Sequence, residues 1–163
     1  MNYTINSNLS AGYAGGYRIQ SNLNNKFFEN LAERAAVKFG MTAAIINFVN
    51  SGIERGPQDQ KASNSFVIAL REDAFTLMSD DVQAVIRLTN PLLAAERGIR
   101  FYATSPVYSE ERLIIGMLCL IDYQTKDFTS KEQFELDEIA DAVGIEINAL
   151  RRNNSPGTAI GQQ

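Results

Sequence analysis

One run of nine residues, 113–121 (LIIGMLCLI), does most to limit what this chain can fold into. It is too short to cross a bilayer, and its apolar side chains do not alternate with polar ones. Rich in Ile and Leu and followed by Asp122, it reads as a strand buried on both faces. Just upstream the pattern differs: Ile99, Phe101, Ala103 and Ser105 fall on one side, and Arg100, Tyr102 and Thr104 on the other. That two-residue period belongs to a strand with one greasy and one polar face. Ser109, Glu110, Glu111 and Arg112 form a charged turn between the two. Residues 99–122 are therefore expected as a hairpin. A strand greasy on both sides must lie inside a sheet, with a layer against each face. The expected fold class is α/β (α+β), built on a central, mainly antiparallel sheet.

The rest of the chain supplies candidate layers. Residues 1–24 are rich in Asn, Ser, Gly and Tyr and are expected as a flexible arm, with one short strand at 17–20. Residues 25–39 read as a helix, because Phe28, Leu31, Ala32, Ala35 and Phe39 recur at three- and four-residue steps. Asn24 or Asn25 can cap its start and Gly40 its end. Residues 42–49 (TAAIINFV) read as a strand, 50–52 as its turn, and 53–64 as a short polar link holding Pro57. After Ser65, Phe66, Val67 and Ile68, a turn at Glu72 and Asp73 is expected to lead into a compact strand at 74–78. Residues 82–97 read as a short helix, a break at Asn90 and Pro91, and a second helical turn. The last helix, 128–152, opens on a capping box, Thr129 to Glu132, and ends on Arg151 and Arg152, which complement the helix dipole. It carries two apolar stripes: Leu136, Ala140, Val143, Ile147 and Leu150, and beside it Ile139, Ala142, Ile145 and Ala149. One can pack on the sheet, leaving the other for a partner. Residues 153–163 are expected as a disordered tail.

Composition removes several function classes. The chain has 163 residues, which suits a single domain, and no histidine, so neither a Ser-His-Asp triad nor a histidine metal ligand is possible. Its net charge of -4 and the lack of a basic stripe argue against nucleic acid. A single cysteine forbids an intramolecular disulfide, and no targeting or membrane-spanning segment stands out, so a cytoplasmic setting is expected.

Asn90-Pro91-Leu92-Leu93, Arg100-Phe101-Tyr102-Ala103, Pro106-Val107, Gly116, Leu118-Cys119 and Asp122 together resemble the C-terminal half of a GAF domain. The likeness covers residues 25–152, with 65–68 in the place of an SFC-like segment. GAF domains are small sensory modules of phytochromes, cyclic-nucleotide phosphodiesterases, histidine kinases and transcription activators. The resemblance implies terminal helices on one face of the sheet and a ligand-pocket lid, within residues 66–97, on the other. It also implies a non-catalytic sensor that signals through its terminal helices to a homodimer partner or to a signalling protein such as a kinase or cyclase. The link at 53–64 leaves the family's second strand shortened or missing.

Candidate site residues follow from placement on the lid or the polar strand face: Ser65, Phe66, Arg87, Asn90, Arg100, Tyr102 and Thr104. No ligand motif identifies the ligand or a cofactor, and no residue is assigned to catalysis or to a metal. Arg87 and Arg100 could meet a phosphate, although Arg100 could equally pair with Asp80 or Asp81. Cys119 lies in a greasy run and reads as structural. The pigment-binding branch of the family needs a cysteine followed by histidine, and the methionine sulfoxide reductase branch needs cooperating cysteines. This chain offers neither. Asn25-Lys26-Phe27 matches only the start of the cyclic-nucleotide signature and lies in the first helix. A ligand-free adaptor or dimerisation module is the main rival reading, with a reductase-type enzyme behind it.

Overall fold

The computed structural model describes residues 16–49, 64–77 and 87–153. In chain order these form β1 (Tyr17–Ser21), α1 (Lys26–Phe39), β2 (Ala43–Val49), β3 (Asn64–Arg71), a 3-10 segment (Glu72–Leu77), α2 (Pro91–Glu96), β4 (Phe101–Tyr108), β5 (Ile114–Asp122) and α3 (Ser130–Asn153). The strands make one sheet in the order β1-β3-β2-β5-β4, and every neighbouring pair is antiparallel. The greasy run thus becomes β5, an interior strand flanked by β2 and β4.

Each helix begins and ends where its local chemistry allows. Asn25 Oδ1 accepts from Phe28 N–H at 3.1 Å, and Gly40 closes α1 in the left-handed region at φ 64°. The capping box of α3 is reciprocal: Thr129 N–H donates to Glu132 at 2.8 Å and Glu132 N–H donates to Thr129 Oγ1 at 3.1 Å. Both helices pack on one face of the sheet, over Ile46, Phe48, Val67, Leu118 and Leu120. The other face carries a second apolar cluster, which includes Ile45, Phe66, Ile68, Cys119 and Ile121 and is covered by Leu88, Ala94 and Ile99.

β4 is an edge strand, and α3 supplies partners for carbonyls on its open side. Gln133 Nε2 donates to Thr104 O at 3.2 Å, and Asn148 Nδ2 donates to Tyr108 O at 3.2 Å. Gly144 eases this close approach, since a Cβ there would lie 3.1 Å from Tyr108 O, tighter than an ordinary contact. Asp122 ties the far end together: its carboxylate accepts from Thr42 N–H at 3.0 Å and Gln124 N–H at 2.9 Å. It is therefore a buried junction between β2 and β5 as well as the turn residue its position suggested.

Several expectations need correction. Residues 72–77 form a 3-10 segment, not the start of a strand at 74–78. β3 already has β1 and β2 on its two sides, so the chain leaving it cannot fold back to pair with β3. Ile99 joins the second cluster, whereas Ala103 belongs to the first, so the side-chain alternation of β4 does not extend back to Ile99. Leu113 and Ile114 are 64% and 61% exposed, so burial of the greasy run begins only further along β5. Tyr17 is buried, and its hydroxyl donates to Met41 O at 2.6 Å, fixing β1 as the opposite edge of the sheet. The link at 53–63, Asp80, Asp81, the start of the 82–97 segment, most of the N-terminal arm and nearly all of the tail lie outside the described residues.

Candidate functional site

Strand register sorts the second face into rows. Leu70, Ala43, Ile121 and Tyr102 share one row across β3, β2, β5 and β4. Ile68, Ile45, Cys119 and Thr104 share the next, and Phe66, Asn47, Met117 and Pro106 the third. Over the first row lie α2 and the turn before it. Asn90 caps α2 by accepting from Leu92 N–H at 2.9 Å, with Pro91 at the first helical position. Tyr102 holds this cover down, because its hydroxyl donates to the carbonyl of Thr89.

A polar seam runs beneath that cover. Cys119 Sγ lies 3.6 Å from Tyr102 Oη and 3.7 Å from Thr104 Oγ1. Burial pushes the Cys119 thiol up from its ordinary value, against the smaller lowering effect of its two hydroxyl neighbours. Tyr102 is raised as well, first by burial and then by the neighbouring cysteine. A thiol held in its protonated form is a poor nucleophile. The seam is thus suited to hydrogen bonding rather than bond making. Among the described residues, no group of three or more His, Cys, Asp or Glu side chains is placed to hold a metal ion.

The seven candidate residues separate on this geometry. Phe66, Tyr102 and Thr104 share the second face. Ser65 pairs with Phe48, so alternation directs it to the helix-bearing face, away from Phe66. Asn90 serves as a helix cap, and Arg87 and Arg100 are exposed. Arg100 donates its backbone N–H to Asp122 O at 2.8 Å. Sequence reasoning missed Asn47 and Met117. The available signal was slight: Asn47 is the single polar residue in AAIINFV.

A second surface lies between α1 and α3. It is an open groove of about 1190 Å³ lined by Phe27, Val37, Ile139 and Ala142 together with charged side chains of both helices. Lys38 and Glu135 bridge the two helices at 3.8 Å. Val37 is 51% exposed, and Ile145, also on α3, is 72% exposed. Burial raises the carboxyls of Glu29 and Glu33 on α1 above the ordinary carboxylate range.

The GAF domain family model matches residues 25–147. This chain belongs to the GAF family. That membership supports a sensory role of the signalling type. Its fold is similar to GAF3 of Slr1393 from Synechocystis sp. PCC6803, solved in its photoproduct state, with a TM-score of 0.53 and 15% identity over 80% of this chain and 98% of that one. It is also similar to a domain of a two-component sensor histidine kinase protein from Sinorhizobium meliloti 1021, with a TM-score of 0.51 and 14% identity over 82% of this chain and 97% of that one. The comparison with curated proteins found no match. Among the described residues, no helix is long and apolar enough to cross a membrane.

Proposed function

We propose that this GAF domain is a non-catalytic sensor that binds a small molecule on the second face of its sheet and signals through α1 and α3. The observation that carries this reading is the unlike dressing of the two faces. One bears a polar seam, Tyr102, Cys119 and Thr104, beneath a six-residue helix. The other bears two long helices that leave Val37 and Ile145 in solvent. A small capped element can shift at modest energetic cost, whereas long helices suit contact with a second copy or with a signalling protein such as a kinase or cyclase. A ligand transmits a signal only if it binds two arrangements of the domain unequally. The buried thiol, with its raised pKa, supports the non-catalytic reading over a reductase.

Native mass spectrometry of the purified chain tests both halves of the proposal. The expected result is a dimer mass and a retained or addable small molecule. Ile145→Glu should weaken the dimer while leaving the melting temperature nearly unchanged, since an exposed substitution costs only about 0.5 kcal/mol or less. A dimer untouched by Ile145→Glu and by Val37→Glu would remove the helices as the interface. The tight packing of Phe66, Ile68 and Leu88 favours a second reading, a ligand-free adaptor acting through α1 and α3 alone. A dimer that takes no small molecule would favour the adaptor, and one that retains or takes up a small molecule would favour the sensor.

A further inference from the structure

Asn47 sits in the middle of the sheet, on the face away from α1 and α3, between Phe66 of β3 and Met117 of β5. It is 7% exposed, and its Oδ1 has no hydrogen-bond partner. An unsatisfied buried acceptor is a net cost to the fold, because its hydration is lost with nothing in exchange. Its neighbours along and across the strands, Ile45, Phe66 and Met117, offer no donor side chain. A leucine at this position would have nearly the same volume and carry no such penalty. The amide is thus a liability to the unliganded fold, and a donor brought by a bound molecule would remove it.

The surroundings narrow that molecule's chemistry. Phe66 and Met117 present a ring and a polarizable thioether on either side of the amide in the same row, which favours a flat partner. No cationic or anionic side chain lies in this row or the next, whose members are Ile68, Ile45, Cys119 and Thr104. Arg100 precedes β4 at the opposite end of the face, six residues before Pro106 in the Asn47 row, or roughly 20 Å along an extended chain. Among the described residues of these two rows, an anion would find no counter-charge. Met117, less deeply buried than Phe66, is the flexible side chain that can give way to admit a ring.

We propose that Asn47 Oδ1 is the specificity-determining acceptor of the ligand site, and that the site takes a neutral, planar heterocycle carrying an N–H donor. This rests on the ligand-binding reading above and names the ligand class for it. The probes are indole and N-methylindole, which share a ring but differ in the donor. Each is titrated into the isotopically labelled full chain and followed on the backbone amides of Phe66 and Met117 and the side-chain amide of Asn47.

Indole should bind at least tenfold more tightly than N-methylindole, and Asn47→Leu should bind the two equally. Asn47→Ser, which keeps a smaller polar group, provides a second variant should the leucine form not fold. Equal affinity of the wild-type chain for the two probes would overturn the role of Asn47 and leave a pocket standing. If neither probe perturbs Phe66 or Met117, the pocket falls together with this assignment.

Discussion

The two faces of the sheet are built from the same five strands, yet they are held by different physics. On the helix side, Phe48, Leu118, Leu136, Val143 and Ile147 are fully buried, and apolar contacts dominate, with Ser105 donating to Asp137 of α3 at 2.7 Å as a polar tie. On the far side, the apolar cluster is interrupted by Tyr102, Thr104, Cys119 and Asn47. Apolar packing is non-directional and tolerates no gap, so the first face is a platform. Hydrogen-bonded packing is directional and is costly wherever a partner is missing, so the second face can distinguish one occupant from another. A domain that must stay folded while responding to a small molecule benefits from keeping these tasks on opposite sides of one sheet.

The contrast can be broken most directly by cutting into the platform. Leu136→Ala removes a fully buried side chain of α3 and should cost about 2–5 kcal/mol in urea unfolding. A loss below 1 kcal/mol would mean that α3 is not part of the core. Tyr102→Phe, on the other face, leaves the Thr89 carbonyl without its donor and should cost about 1 kcal/mol. The change should be read most clearly as faster hydrogen exchange across α2, with the helix-side amides unaltered. Equal acceleration on both faces would show that the two layers respond as one.

The smallest expected effect is electrostatic and belongs to the platform. Burial raises the Glu29 carboxyl, so the folded state holds its proton to a higher pH than the unfolded chain does. Stability from this group is present below the unfolded pKa and declines as pH rises through the folded one. Glu29→Gln should therefore raise the melting temperature slightly at pH 7, and the advantage should vanish near pH 4. An advantage that grows on acidification would reverse the assignment.

Much of the architecture was legible in local patterns. The apolar run of β5, the periodicity of α1 and the reciprocal Thr129–Glu132 cap each report on contacts within a few residues. The segment at 72–77 departs from the strand expectation because AFTLM has strand composition, while only the sheet order reveals that β3 is already paired on both sides. The candidate site was less legible. Tyr102 and Thr104 share one face, as simple alternation implies, but Ser65 and Phe66, adjacent in sequence, point to opposite faces. Asn90, Arg87 and Arg100 follow from placement on the lid or the polar strand face, and a cap or an exposed cation there has the same composition as a binding residue.

By itself, the amino-acid sequence determined the family, the class of fold and the position of its buried strand, because side-chain periodicity and capping are local properties of the backbone. Which row each residue joined, and hence that Asn47 meets Phe66 and Met117, was decided only in three dimensions. Strand register couples residues far apart in the chain through inter-strand hydrogen bonds. A shift of one residue would turn every side chain of a strand to the other face.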